Sequence, residues 1–330
     1  MIGRGGVKWR SNSFNMRKIG VLFGRENTFP PALEERINSL GAKDVRAEAV
    51  QIGGVTLADV NSYRVIVDRI SQDVPFYRAF LKHAVLNGAT VINNPFWWTA
   101  DDKFFNYALA EKLGVATPRT ALLPHKAHPP DISAQSLRNL TYPLDWEGIF
   151  KYIGFPAFLK PYNGGGWKHV YKVHNPQEFF SAYDGTGDLC MTLQQSIEFE
   201  DYYRCYVIGQ KRVRLMQYDP RRPHAERYVK DGPPIPAAMR DRLERDCLTL
   251  CRALGYDMNT VEFAVQGGVP YAIDFLNPAP DADLNSVGKE NFEWVVNAMA
   301  ELAVEQALKK SETTKELRWA KFLAGTEAKP

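Results

Sequence analysis

Cysteine is scarce in this chain. Its 330 residues contain only Cys190, Cys205, Cys247 and Cys251, none in a CxxC pair, which removes the usual spacings of a structural zinc site or a redox dithiol. Cys247 and Cys251 stand four apart in a helical pattern, so both fall on one face and read as core thiols of a reducing compartment. No stretch reaches the roughly eighteen apolar residues of a membrane span. The opening MIGRGGVKWRSNSFN lacks the apolar run of a signal peptide. Together these absences predict a cytoplasmic protein without a membrane partner. Charge excess is also small, a formal +3, and the aromatics follow no RNA-binding pattern, so no nucleic-acid partner is expected. GxGxxG is missing from the turn FGREN after the first strand, which argues against a dinucleotide there. His125 and His128 lie in a proline-rich run without a third ligand and read as solvated.

What the chain does have is an ordinary globular composition, 45% hydrophobic and 24% charged, at a length that suits two or three domains. Residues 1 to 16 read as a disordered leader. From Arg17 the pattern alternates strand (KIGVLFG), helix (PPALEERINSLG), an apolar stretch near AEAVQIG, strand (SYRVIVDRI), helix (PFYRAFLKHAVLNG) and a short strand (TVINN). Alternation of this kind predicts a parallel α/β domain over residues 17 to 100. A helix follows in DDKFFNYALAEKLG, whose core face is read as Phe104, Phe105, Ala108, Leu109 and Leu113. Residues Leu122 to Leu144 read as an inserted surface loop, and WEGIFK through about Tyr228 as short strands and turns. The rest is a helix from Ala237 to Leu254, a hairpin around Gly267 and Gly268, and a final helix with Phe292, Val295, Val296, Met299 and Leu302 on its core face.

Two constellations carry chemistry. In FLKPYNGGGWKHVYKV, Lys160 precedes three bare residues, Gly164, Gly165 and Gly166. Glycines let backbone N–H groups approach a polyanion, and a lysine adds a compact positive charge for phosphate. With strands on both sides and no GK[ST], this is not a Walker loop, and a purely structural turn is the alternative. The second constellation is Glu262, Asp274 and Asn277. Twelve residues and a two-glycine turn let the two carboxylates lie side by side across an antiparallel pair. Burying them in the apolar strands VEFAV and YAIDFL calls for a cation. That cation is Mg2+ bridging phosphates, for which an all-oxygen donor set is suited, or else a neighbouring arginine.

Both constellations, with the helix opened by Lys103, resemble the ATP-grasp superfamily, and the resemblance runs from about Arg17 to Gln306. It implies an ATP-grasp fold of mixed α/β and α+β class, with an N-terminal parallel α/β (pre-ATP-grasp) domain followed by an ATP-grasp domain over residues 101 to 330. Within the latter it implies a lid subdomain at about 150–205 and a metal-binding subdomain at about 206–310. Position by position, it implies that Lys103 and Lys160 contact ATP phosphates and that Gly164, Gly165 and Gly166 cover them. Gln195, Ser196 and Ile197 would line the adenine site, an acid among Glu198, Glu200 and Asp201, with Asp201 preferred, would take the ribose, and Glu262, Asp274 and Asn277 would hold Mg2+, or Mn2+. Arg214 would neutralise a transferred phosphoryl group.

The sequence departs from the family pattern in DFLN, which sets the second acid and the asparagine three apart instead of two and so requires a bulge or turn at Phe275 and Leu276. Gln195 stands where glutamate is common, and Trp167 where a small residue is usual. The implied reaction is ATP-dependent activation of a substrate carboxylate as an acylphosphate, followed by capture by an amine. The partners would be a small-molecule or peptide carboxylate and an amine, with a homodimer left open. Arg221, Arg222, Arg227 and Lys230 in PRRPHAERYVK suggest an acidic acceptor or a solvated loop. A non-ligating ATP-binding regulator and a kinase on the same fold are the alternatives.

Overall fold

The computed structural model describes residues 16–223, 226–309 and 317; residues 1–15 of the expected leader lie outside the described residues. Two compact units result, one holding the described residues up to Ile92 together with those from Val296 onward, the other Asn93–Val295.

The first unit follows the alternation read from the sequence: β1 (Arg17–Leu22), α1 (Phe29–Ser39), β2 (Val45–Ala49), β3 (Tyr63–Asp68), α2 (Pro75–Leu86) and β4 (Thr90–Ile92). The strands form a parallel sheet in the order β2-β1-β3-β4. Both helices begin at a proline, where the missing N–H is no loss and φ is already helical. Ile19 and Val21 of β1, Val65, Ile66 and Val67 of β3, and Phe29, Leu33, Leu81 and Val85 of the helices are wholly buried. Each is worth roughly 1.5–3 kcal/mol of apolar burial, which is why this pattern was legible.

The second unit contains α3 (Pro95–Trp98), α4 (Lys103–Lys112), β5 (Thr120–Leu123), α5 (Trp146–Ile153), β6 (Ala157–Pro161), β7 (Tyr171–Val173), α6 (Pro176–Asp184), β8 (Met191–Gln195), β9 (Asp201–Ile208), β10 (Arg212–Gln217), α7 (Ala237–Leu254), β11 (Met258–Gln266), β12 (Val269–Asp274) and α8 (Leu284–Val287). A last helix, α9 (Lys289–Leu308), starts in this unit and continues in the first. Two antiparallel sheets organise the second unit, ordered β5-β8-β6-β7 and β10-β9-β11-β12. Along β9 the side chains alternate: Tyr203, Cys205 and Val207 pack with Leu243, Cys247 and Leu250 of α7, while Tyr202, Arg204 and Tyr206 take the opposite face. Cys205, Cys247 and Cys251 are free and buried, as the spacing suggested, and Cys190 is half-buried.

Two readings need correction. α5 and α6 are helices where short strands and turns were expected. Each starts at a side-chain cap, Asp145 to Gly148 N at 2.9 Å and Asn175 to Glu178 N at 2.9 Å, a signal the run of aromatics and glycines obscured. The core face of α4 is also different: Lys103, Asn106, Tyr107 and Ala110 are buried, whereas Phe105 is 48% exposed. Both sets repeat at helical spacing, and the more polar one turns inward. The final helix buries Phe292, Val295, Val296, Met299 and Leu302 as read.

Candidate functional site

Both sheets of the second unit contribute to the wall of a cavity of about 530 Å3, together with the glycine loop and the start of α4. Helix α4 begins at Lys103 because Asp102 caps it, its Oδ1 accepting from Phe105 N at 2.8 Å. Lys103 is further fixed by its backbone N–H donating to Tyr162 O at 2.9 Å. Lys160, on β6, is only 8% exposed. Its Nζ donates to Gln194 Oε1 at 2.7 Å and to Tyr107 Oη at 2.8 Å. Tyr107 can accept because its own proton goes to Ile273 O at 2.6 Å, and Gln194 is held by donating to Thr120 Oγ1 at 2.9 Å. Burial pushes the Lys160 ammonium down to about 8, with Asp274 and Glu262 resisting.

The opposite wall is acidic. Glu262 on β11 pairs in register with Asp274 at the end of β12, the side-by-side placement expected from the twelve-residue spacing. The pairing slips between Glu262 and Phe263, which leaves Ile273 as the extra residue of a bulge on β12. The strand then stops, and Phe275, Leu276 and Asn277 run irregularly, so the three-residue DFLN spacing still brings Asn277 to the cavity wall with both acids. Asn277 donates its amide nitrogen to Thr260 O at 3.0 Å, which leaves its amide oxygen as the available end.

Glu262 Oε2 accepts from Tyr202 Oη at 2.6 Å, and Oε1 lies 3.5 Å from Arg204 Nε. Asp274 Oδ2 lies 3.3 Å from Lys103 Nζ, whereas its Oδ1 is buried without a hydrogen-bond partner. Burial raises the Asp274 carboxyl, but Lys103 and then Lys160 outweigh it and hold the group below its ordinary value. The alternative of cationic side-chain partners is therefore also realised: each acid faces one. Among the described residues no three His, Cys, Asp or Glu gather as a metal cluster. Two carboxylates and an amide oxygen, one carboxylate oxygen being orphaned, fit a hard cation that takes its remaining ligands from phosphate or water.

Glycines 164 to 166 bridge β6 and β7, which pair antiparallel. A side chain at any of the three would meet nothing within 4 Å, yet Gly164 (φ +84°) and Gly166 (φ +71°) lie in the left-handed region, so conformation, not space, asks for glycine there. Trp167 continues the loop at φ 60°, is 64% exposed, and lines the cavity. Gln195, Ile197 and Phe199 line it too. Gln195 Oε1 accepts from Arg119 Nε at 3.2 Å.

The remaining expected residues are not on the cavity wall. Ser196, between two inward neighbours in extended chain, uses its N–H on Pro156 O at 3.1 Å. Asp201 opens β9 as an exposed residue. Arg214 sits opposite Tyr206 in the β9–β10 pairing, one same-face step from the Arg204–Met216 pair, and its guanidinium is taken by Asn291 Oδ1 at 2.6 Å and Glu290 Oε1 at 2.7 Å. Arg204 lines the cavity instead. Sequence reasoning missed Arg204, Tyr107, Gln194 and Tyr202. A signal existed for Tyr107, which stands four residues after Lys103 on one helix face, and for Arg204, which reaches Glu262 across paired strands.

No family model matches the chain, and no curated protein sequence does. Solved structures do. D-alanine–D-alanine ligase from Bacillus anthracis superposes with a TM-score of 0.60 at 15% identity, covering 91% of this chain and 99% of that one. A RimK domain ATP-grasp protein from Sphaerobacter thermophilus gives 0.60 at 16% identity, covering 87% and 99%. The ATP-grasp ligase PsnB, complexed with minimal precursor, Mg and ADP, gives 0.56 at 13% identity, covering 88% and 98%. The parallel sheet, the two antiparallel sheets and these superpositions agree: the chain has the ATP-grasp fold.

Proposed function

We propose that the chain is an ATP-dependent carboxylate–amine ligase forming ADP and phosphate. The observation that carries this reading is a single cavity in which two buried lysines and a glycine loop face two carboxylates, one of whose oxygens, Asp274 Oδ1, is buried and unpartnered. Lys103 and Lys160 would hold the ATP phosphates and the loop at Gly164, Gly165 and Gly166 would cover them. Gln195 and Ile197 would flank the base, with Ser196 acting only through its backbone. Glu262, Asp274 and the Asn277 amide oxygen would hold Mg2+, or Mn2+, which when bound neutralises phosphate charge and polarises the transferred group.

The reaction then runs in two displacements. A substrate carboxylate oxygen attacks the γ-phosphorus, the bond to the β–γ bridging oxygen breaks, and ADP leaves an acylphosphate. An amine nitrogen attacks the acyl carbon, the bond to the phosphate oxygen breaks, and the amine proton passes to solvent. The chain contributes position and fixed charge: Lys160 is locked by Tyr107 and Gln194 before any ligand arrives. Fold neighbours described as ligases, one of them holding Mg and ADP, support the reading.

The test is Mg-dependent ADP release with pooled amino acids, dipeptides and other carboxylates, hydroxylamine serving as the amine. ADP with a matching hydroxamate, both lost in Lys160→Ala, is the expected result. A protein that binds Mg·ATP yet yields no hydroxamate from any acid would be a regulator or a kinase.

A further inference from the structure

Tyr107 is buried behind the cavity wall, yet one of its atoms is bonded to both antiparallel sheets. Its Oη accepts from Lys160 Nζ on β6 at 2.8 Å and donates to Ile273 O on β12 at 2.6 Å. The directions are forced, because an ammonium can only donate and a carbonyl can only accept. Strand β6 belongs to one sheet and β12 to the other. A single hydroxyl therefore joins the strand that carries Lys160 to the strand that carries Asp274. Gln194 makes the contrast. It also accepts from Lys160 Nζ, at 2.7 Å, but its own amide donates to Thr120 Oγ1 on β5 at 2.9 Å, within the sheet of Lys160 itself.

The same side chain brackets Asp274 along the chain. Ile273, before it, takes the hydroxyl proton, and Phe275, after it, meets the Tyr107 ring edge-on with centroids 5.7 Å apart. Lys103, one turn earlier on the same face of α4, reaches Asp274 itself, Nζ to Oδ2 at 3.3 Å. Helix α4 thus grips three consecutive residues, just past the register slip of β12 and at the point where that strand ends. This is the start of DFLN, the stretch whose spacing departs from the family pattern. Where the regular ladder gives out, side-chain bonds from α4 take over the orientation of the carboxylate.

Resting on the phosphate and metal assignments of the ligase reading, we infer that Tyr107 is a positioning residue that couples the two. Through its hydroxyl, placing Lys160 for phosphate and placing Asp274 for the divalent cation become one event. Nucleotide and cation then strengthen each other's binding, and by linkage the effect is the same in either direction. Gln194, which holds the lysine from within one sheet, supports phosphate binding without that coupling.

The experiment is titration calorimetry of the full chain with the non-hydrolysable analogue AMPPNP, once in EDTA and once in saturating Mg2+, read as the ratio of the two dissociation constants. Tyr107→Phe keeps the ring against Phe275 and removes only the hydroxyl; it should lower the Mg-dependent gain by about fivefold or more. A merely structural loss would weaken both affinities alike and leave the ratio where it was. Gln194→Met should do that, weakening AMPPNP with and without Mg2+ while the ratio stays within about twofold of wild type. An unmoved ratio in Tyr107→Phe, or an equal fall in both variants, overturns the coupling. If Tyr107→Phe does not fold, Phe275→Leu is read in its place: loss of the ring contact on the other flank of Asp274 should lower the ratio about two- to threefold, and an unmoved ratio again overturns the inference. The hydroxamate assay separates the two readings. A lowered ratio in a protein that forms no hydroxamate keeps the role of Tyr107 and removes ligation, whereas hydroxamate with an unmoved ratio keeps ligation and removes the coupling.

Discussion

The two antiparallel sheets of the second unit meet one cavity in opposite states of completion. On the β6–β8 side Lys160 is fully engaged, donating to Gln194 and Tyr107, whose own protons are placed in turn. On the β9–β11–β12 side Asp274 Oδ1 and Arg204 Nε are buried without hydrogen-bond partners. On the ligase reading proposed above, a lysine that would meet a constant phosphate can be pre-organised completely, whereas groups that would meet a metal or a reacting carboxylate keep capacity in reserve, and this costs folding stability.

The largest effect should come from breaking the complete side. Lys160→Met strands both the Gln194 oxygen and the Tyr107 hydroxyl and removes a charge from the phosphates. ADP formation should fall by about 100-fold or more, and retention of more than a tenth of wild-type turnover would move the phosphate site elsewhere. On the open side, Asp274→Asn leaves Lys103 buried without its carboxylate. The apo protein should lose on the order of 3 kcal/mol in denaturant unfolding, and nucleotide binding should lose its Mg dependence.

Acidity sharpens the contrast. Because the folded Lys160 value is about 8 against an ordinary 10.5, the unfolded chain binds the extra proton between them, so apo stability should rise as pH climbs from about 8 to about 10.5. Phosphate needs the ammonium, so Mg·ATP affinity should fall across the same window, and titration calorimetry in buffers of different ionisation enthalpy should reveal proton uptake on binding. A flat profile across that window would mean that the lysine stays charged throughout. Smaller still, Gly164→Ala forces an L side chain to φ +84°, about 1 kcal/mol, whereas Gly165, whose φ is not in that region, should tolerate alanine in a thermal melt. Smallest of all, Arg214→Gln removes an ion pair to a Glu290 that is 88% exposed; turnover should stay within about twofold of wild type, and a collapse would restore Arg214 to the site.

The contrast also explains what could be read in advance. The β–α alternation from Arg17, the last helix's core face and the opposition of Glu262 and Asp274 were legible because apolar period and strand register are local consequences of side-chain geometry. Helix α4 was misread because hydrophobicity favours Phe105, while the folded chain buries Lys103, Asn106 and Tyr107. Lys103 finds its ion partner in Asp274, and Tyr107 its partners in Lys160 and Ile273 O, all outside the helix, and no single-helix pattern contains that information.

By itself, then, the sequence determined the alternating first unit, the two-glycine hairpin that sets two acids abreast, and the lysine ahead of a glycine loop. Only the tertiary structure decided that Lys103 and Lys160 share one cavity with those acids, that Arg204 and not Arg214 lines it, and that Tyr107, Gln194 and Asp281 complete it. The physical reason is range. Backbone geometry fixes which way a side chain points within a few residues, whereas a buried charge is satisfied by groups tens or hundreds of positions away, as Lys160 by Tyr107 and Lys103 by Asp274.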